Sequence, residues 1–448
     1  MITKKIYSIL PAPFQNLAVS IYGKLIFKQR YSGAYDNLYQ GFIKKDYSDF
    51  KVNLSEQNRL LTEFVKFAVS NSPFYKEFYT DVDIEGIKGV EDLHKLPILT
   101  KEMLRENIDS VKTVTKKESI SSFTGGTTGK SLEVFFTRQD FQCRMAYLDA
   151  FKFKVGVEPF KSKKATFSGR EVIQKEKNNV FWRNNSAYNQ RLYSTFHINE
   201  KTIPYYLENL NSFKPEVING FVSAIYDIAK YILDNNLTMS FIPLAVFTTS
   251  ETLLPHHREI IEKAFGCKVY NQYASAEGAP FITECSHGEL HYNMDTGVIE
   301  NKPGSDSVLV TSFTTHGTPL IRYDIGDKII FKEGVCSCGS RHPLVKEISG
   351  RAVDYLTAID GRKVSLSHLA DVIKGLPNCI RNIQFIQKMD NEIDILLEVD
   401  ESLYNLSHER KLLDSLVYRF GSDTIFNITL VDCIPKEKSG KYRLIKKN

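Results

Sequence analysis

The chain has 448 residues, 42% of them hydrophobic and 25% charged, with a formal net charge of +5. That length exceeds what one hydrophobic core supports, so two or more domains are expected, of globular rather than fibrous or disordered composition. The charge is no nucleic-acid footprint: the stretch KEKSGKYRLIKKN, residues 436–448, holds five Lys, one Arg and one Glu, so residues 1–435 sum to zero.

The opening segment, MITKKIYSILPAPFQNLAVSIYGKLIF, is interrupted by Pro11, Pro13, Gln15, Asn16 and Lys24. It lacks the clean apolar core and small-residue cleavage site of a signal peptide. No run of 18 apolar residues occurs anywhere, so no transmembrane segment is expected. The aromatic, mildly basic character of this segment leaves peripheral membrane contact open. Seven cysteines, an odd number without a secretory signal, point to a reducing compartment, the cytoplasm. Cys143, Cys267, Cys379 and Cys433 are scattered and read as small buried hydrophobes.

Residues 55–80 carry apolar side chains at helical spacing. Next comes SSFTGGTTGKS, residues 121–131, which ends in Gly-Lys-Ser as a phosphate-binding P-loop does. The P-loop pattern, however, needs glycine where Thr124 stands. Ser131 is followed by LEVFFT, rich in β-branched and aromatic residues, whereas a P-loop opens a helix. The loop is therefore expected to join two strands. Its glycines, threonine hydroxyls and Lys130 still suit an anion, although such clusters are most often plain turns.

A helix is expected at 221–236 after the apolar EVING. PLAVFTTSE then reads as a buried strand, HHREIIEKAFG as a helix stopped by Gly266, and CKVYNQYA as a second strand. Strands alternating with helices predict an α/β core with parallel pairing. Beyond about residue 286 short β-rich segments prevail, and from about 355 onward strands and helices form a compact α+β unit. In that unit SLSHLADVIKG and residues 405–420 read as helices. The boundary is placed near Gly350–Asp354, dividing 1–350 from 351–448.

Four further stretches carry candidate chemistry. NQYASAEG puts Tyr273 and Glu277 at the C-terminal end of a strand, where open α/β sheets bind ligands, although Glu277 alone reads as a helix cap or a solvated acid. TPLIRYDIGD ends in Asp327 on a Gly turn, where a carboxylate could accept two ribose hydroxyls but where Asp is also ordinary. SGRAVDYL puts Arg351 and Asp354 at the proposed junction, and PKEKSGKYR offers Lys441 behind a Gly turn in a basic tail. Separately, Cys285, Cys336 and Cys338 with His287 or His291 suffice for a tetrahedral Cys₃His metal site, or else are simply buried thiols.

Taken in order, GGTTGK, Y-x-x-x-E, RYDIGD, G-R-x-x-D and P-x-x-x-x-G-K-x-R resemble the motifs of the adenylate-forming superfamily. That superfamily comprises acyl-CoA synthetases, peptide-synthetase adenylation domains and luciferases. The short length, the RYDIGD wording and the CSCG before SGR look most like its phenylacetate–CoA ligase-like branch, and within it like proteins of capsular polysaccharide biosynthesis. The resemblance runs from roughly 90 to 445. It implies a large N-terminal AMP-binding domain and a small mobile C-terminal α+β lid. The loop Thr124, Gly125, Gly126, Thr127, Thr128, Gly129 and Lys130 would cover the ATP phosphates. Tyr273 would pack on adenine, with backbone near Ser250 and Glu251 reading its edge. Glu277 would hold Mg²⁺, Asp327 and Arg351 the ribose, and Lys441 would reach the α-phosphate. The branch also brings a structural Zn²⁺, implying Cys285, His291, Cys336 and Cys338 as ligands with His287 in reserve.

The implied reaction is acid plus ATP to acyl-AMP and pyrophosphate, then acyl transfer to a thiol, coenzyme A, or to an amine. The alternatives are an amide-forming ligase and a non-catalytic nucleotide-binding scaffold. Two departures stand out: Ala276 replaces the usual Ser or Thr before the glutamate, and Val353 replaces the first acid of G-R-x-D-D. The acyl pocket is expected to draw on residues 139–151, 188–197 and 220–226. An aromatic or small polar acid is the expected substrate. No feature of the sequence fixes an oligomeric state.

Overall fold

The structure is a computed structural model describing residues 7, 9–124, 132–173, 178–351, 355–359, 363–365, 369, 372, 379–389, 391–437 and 442–447. Gly125 to Ser131, Val353, Asp354, Lys441 and the side chain of Arg351 lie outside the described residues, as does most of the expected helix at 365–375.

The apolar spacing over 55–80 forms helix in two pieces, Phe50–Asn71 and Pro73–Phe78. Asp49 caps the first by accepting from the Lys51 and Val52 amides. Ser72 ends that helix and starts the next, its hydroxyl accepting from the Tyr75 amide while Pro73 takes the first helical position. Leu61, Phe64, Val65 and Ala68 line the buried stripe.

Strands follow in chain order: β1 Ile120–Phe123, β2 Glu133–Phe136, β3 Lys164–Ser168, β4 Trp182–Asn185, β5 Gln190–Ser194, β6 Val217–Phe221, β7 Ala245–Thr249 and β8 Val269–Tyr273. They continue as β9 Ile282–Glu284, β10 Leu290–Tyr292, β11 Gly297–Asn301, β12 Val308–Ser312, β13 Leu320–Asp324, β14 Asp327–Lys332 and β15 Leu344–Arg351. The central sheet runs β14-β15-β10-β9-β8-β7-β6-β3-β5-β4. Its middle is parallel, from β5 through β3, β6 and β7 to β8. Helices Val222–Asp234 and Pro255–Phe265 make the crossovers between β6, β7 and β8 and bury Ile225, Ile228, Ile232 and Ile261 against Ile218 and Val246. Gly266, at φ +68°, ends the second helix. From β8 onward the pairing turns antiparallel: β8–β9, β9–β10 and β14–β15 are joined by short connections, whereas β10 meets β15 across the long excursion that holds β11 to β13.

A separate three-stranded antiparallel sheet, β11-β12-β13, shares its core with helix Phe50–Asn71. The last unit orders its strands 425–430, 392–399, 380–389, 445–447 and packs them on helix Leu406–Phe420. Its core, built on Phe385, Ile393, Ile395, Leu412 and Leu416, also takes in Leu254 from the large body. Of the four scattered cysteines expected to be buried, Cys379 is, Cys143 and Cys267 are half-buried, and Cys433 is exposed. Among the described residues no helix is long and apolar enough to cross a membrane.

Gly220 lies mid-sheet in β6 with φ +154°, and a Cβ there would sit 2.0 Å from the Phe167 carbonyl oxygen of β3. Gly220→Ala is expected to cost roughly 2–4 kcal/mol, read as a lowered denaturant midpoint at unchanged slope.

Candidate active site

Three neighbouring parallel strands deliver their following residues to one edge of the sheet: β6 leads to Ser223, β7 to Ser250 and Glu251, and β8 to Tyr273 and Glu277. That carboxyl edge is where open α/β sheets hold ligands. The β1–β2 hairpin carries the threonine–glycine loop. Thr124 closes its base twice, donating its amide to Leu132 O (3.0 Å) and accepting the Leu132 amide on Oγ1 (2.9 Å). The loop therefore joins antiparallel strands, as its flanks predicted, and the Thr124 hydroxyl serves at its root.

Glu277 is buried, with Lys101 Nζ 3.4 Å from Oε1. Lys101 is brought there by pairing of the segment before it: Leu99 donates to Arg322 O and accepts from Asp324 N, and Thr100 then caps helix Lys101–Glu106. The turn after Glu277 is held from both sides. Ser275 Oγ accepts from the Gly278 (3.1 Å) and Ala279 (2.9 Å) amides, and Arg144 Nη1 donates to the Gly278 and Ala279 carbonyls and to Thr314 Oγ1. Arg144 is buried over the Phe281 ring, and burial pulls its guanidinium down to about 10. Ser275 Oγ thus uses both acceptor positions on this turn, one residue ahead of Ala276.

Tyr273 donates its hydroxyl to Asp327 Oδ2 at 2.7 Å. Burial, followed by the Asp327 charge, holds the phenol well above its ordinary range, so it stays a donor. Asp327 opens β14 and faces Arg351 of β15 directly across the ladder. The expected ribose pair thus occupies one cross-strand position, with the expected adenine residue bonded to it.

Ser250 adopts φ +70°, unusual for a residue with a side chain, and turns the chain so that Glu251 points back. Its carboxylate accepts from Ser223 N (2.8 Å) and Oγ (3.1 Å) at the start of helix Val222–Asp234, and from Tyr442 N (2.8 Å). Burial pushes this carboxyl up, and the Ser223 and Tyr442 amides oppose the shift. Nearby, Lys436 Nζ lies 3.4 Å from Asp227 Oδ2 and 3.3 Å from Thr195 O. These contacts dock the last unit on the body beside the β7 edge. Lys441, adjacent in sequence to Tyr442, lies outside the described residues.

Cys285, His291, Cys336 and Cys338 offer ligand atoms that all lie within 4.8 Å of one another. Cys285 and Cys336 sulfurs are 3.7 Å apart, and Cys338 Sγ is 3.5 Å from His291 Nε2. Tetrahedral zinc–thiolate geometry sets sulfur–sulfur edges of about 3.8 Å, so the group fits such an ion. His291 turns Nδ1 to the His342 carbonyl (3.3 Å), which orients Nε2 inward. Burial raises the Cys285 thiol, pushes Cys338 up to about 12 and lowers His291. His287, held in reserve by the sequence, is not in the group.

Of the segments expected to line an acyl pocket, 139–151 lies within helix Arg138–Phe153 and 188–197 contains β5, where Arg191 is engaged by Asn184 and Asn209. Sequence reasoning missed Lys101, Arg144, Tyr442 and the carboxylate role of Glu251. Tyr442 alone carried a local signal, its place beside Lys441.

Comparison with known proteins shows the family and the fold. Residues 356–448 match the family described as the CapK C-terminal domain. The chain is 38% identical over 446 residues, 98% of each chain, to Protein CapK of Staphylococcus aureus. It is 24% identical to phenylacetate-coenzyme A ligase of Thermus thermophilus, covering 81% of this chain and 84% of the other. Among solved structures it shares the fold of 2-hydroxyisobutyryl-CoA ligase in the postadenylation state in complex with R3-HIB-AMP, at TM-score 0.73 and 16% identity over 94% of both chains.

Gly278, at φ +105°, has room for no Cβ: one would lie 2.5 Å from Thr315 Cγ2 and 2.8 Å from the Phe136 ring. Gly278→Ala is expected to lower stability by roughly 2–3 kcal/mol, measured by thermal melting, and to displace Glu277 with it.

Proposed function

The chain belongs to the CapK family, in the phenylacetate–CoA ligase-like branch of the adenylate-forming superfamily, and on that footing we propose that it activates a carboxylic acid with ATP and passes the acyl group to a thiol. The acid oxygen bonds to the α-phosphorus as the bond to pyrophosphate breaks. The thiolate sulfur of coenzyme A then bonds to the acyl carbon as AMP leaves. The likeness to capsular polysaccharide proteins makes surface-glycan assembly the context we favour.

One observation carries the reading: Tyr442 N donates to Glu251 at the carboxyl edge of β7, so the last unit is docked where the site residues converge. An acid attacking a phosphate sets anion against anion, and the site must supply positive charge where negative charge gathers. In this reading Lys441, next to the pinned Tyr442, supplies it. Glu277, a buried carboxylate offering hard oxygen ligands, is the residue suited to Mg²⁺, which when bound adds charge beside the phosphates. Lys101 steadies Glu277, Tyr273 orients Asp327 for the ribose, and the loop from Thr124 to Lys130 covers the phosphates. We assign Zn²⁺ to Cys285, His291, Cys336 and Cys338. With four protein ligands it has no open position and a structural role.

Hydroxylamine trapping and pyrophosphate–ATP exchange across a broad panel of acids test the first half-reaction, and a wild-type protein silent with every acid sinks it. Lys441→Ala is expected to slow exchange by about 10²–10³-fold with ATP affinity kept. Glu251→Ala, which removes the docking acceptor and with it the partner of the Ser223 amide and hydroxyl, is expected to slow exchange by about tenfold or more and to lower the melting temperature by a few degrees. Purified protein is expected to hold about one equivalent of zinc, and Cys336→Ser to lose it. Less than about half an equivalent in wild type that has met no chelator rejects the metal.

A further inference from the structure

Helix Ala12–Tyr31 lies along β4, the edge strand of the central sheet. Its inner face is settled by contacts. Asn16 Oδ1 accepts from the Asn184 amide, Ser20 Oγ donates to Asn184 O, and Gly23 lies so close that a Cβ would meet Asn185 Oδ1 at 2.2 Å. Phe27 and Tyr31 complete this face against Phe160 and Tyr188.

The opposite face is apolar too. Phe14 (57% exposed), Leu17 (57%), Ile21 (52%) and Leu25 (63%) recur at helical spacing on one stripe, with Ile9 (73%) ahead of it. A helix apolar on both faces is ordinarily buried on both, and this one is covered on one. Five such side chains place on the order of 400–500 Å² of apolar surface in water, a patch of functional size.

Charge selects the occupant. Residues 1–35 hold Lys4, Lys5, Lys24, Lys28 and Arg30 and no acidic residue, a net +5, so residues 36–435 carry −5. Lys24 and Lys28 are exposed on the same face, one heptad after Leu17 and Ile21, at the C-terminal margin of the apolar stripe. Apolar side chains at the centre with lysines at the margin are the pattern of a helix lying in a lipid interface, its lysines among anionic headgroups. A protein partner would need its own acidic rim and a matching groove, whereas a bilayer supplies both without shape.

We propose that this helix face docks the protein on an anionic membrane surface, with the apolar stripe entering the headgroup boundary and no segment crossing. Co-sedimentation with phosphatidylcholine vesicles, with and without phosphatidylglycerol, tests it at low salt and at about 0.5 M NaCl. Wild type is expected to bind the anionic vesicles, more weakly at high salt. Leu17→Glu/Ile21→Glu and Lys24→Glu/Lys28→Glu are each expected to weaken binding roughly tenfold at an unchanged melting temperature, since all four positions are exposed. No binding by wild type, or binding that the Leu17→Glu/Ile21→Glu variant retains, overturns the proposal. So does a dimer in light scattering that this variant abolishes, which gives the face to a second copy.

Discussion

The carboxylate of Glu251 gathers donors from both bodies of the molecule at one point. A partly buried charge is tolerated only when donors surround it, and here they come from two bodies: Ser223 at a helix start in the large one and Tyr442 in the small one. The amide and hydroxyl of Ser223 stay with Glu251 wherever the small unit goes, whereas the Tyr442 amide is present only when that unit is docked. The bond between Glu251 and Tyr442 is therefore specific to one arrangement. In the proposed reaction it belongs to the adenylating arrangement.

Much of this was legible in the chain. The helix–strand alternation over 217–273 forms the parallel middle of the sheet because each crossover helix carries a clear apolar stripe and a clean stop. The metal group was legible as a residue set, and the fold brings Cys285 of one hairpin to Cys336 and Cys338 of the next. What local spacing could not show were partners chosen by tertiary packing. Lys101 meets Glu277 only because Leu99 pairs beside Tyr323, and Arg144 reaches Gly278 from the buried side of a helix. Nor could spacing assign Glu251, whose neighbours in sequence say nothing of a residue 191 positions away.

The two departures from the superfamily's wording read differently once the turn is seen. Ser275 Oγ accepts from the Gly278 and Ala279 amides, so its lone pairs brace the turn that Ala276 belongs to. Arg144, stacked on Phe281 and bonded to two carbonyls, holds the same turn from below. The backbone that aims Glu277 is therefore rigid even though its most familiar polar neighbour is missing. Val353 lies outside the described residues, two positions beyond the end of β15, whose final residue lies opposite Asp327.

Leu254 sets a further condition. It is a residue of the large body, just ahead of helix Pro255–Phe265, yet it is counted among the apolar side chains at the heart of the small unit. Turning that unit away wets a leucine, at about 2 kcal/mol. A single contact of that size corresponds to about a thirtyfold factor in an equilibrium constant, other contacts being equal. In the proposed reaction, any turn of the small unit works against the dryness of that one side chain.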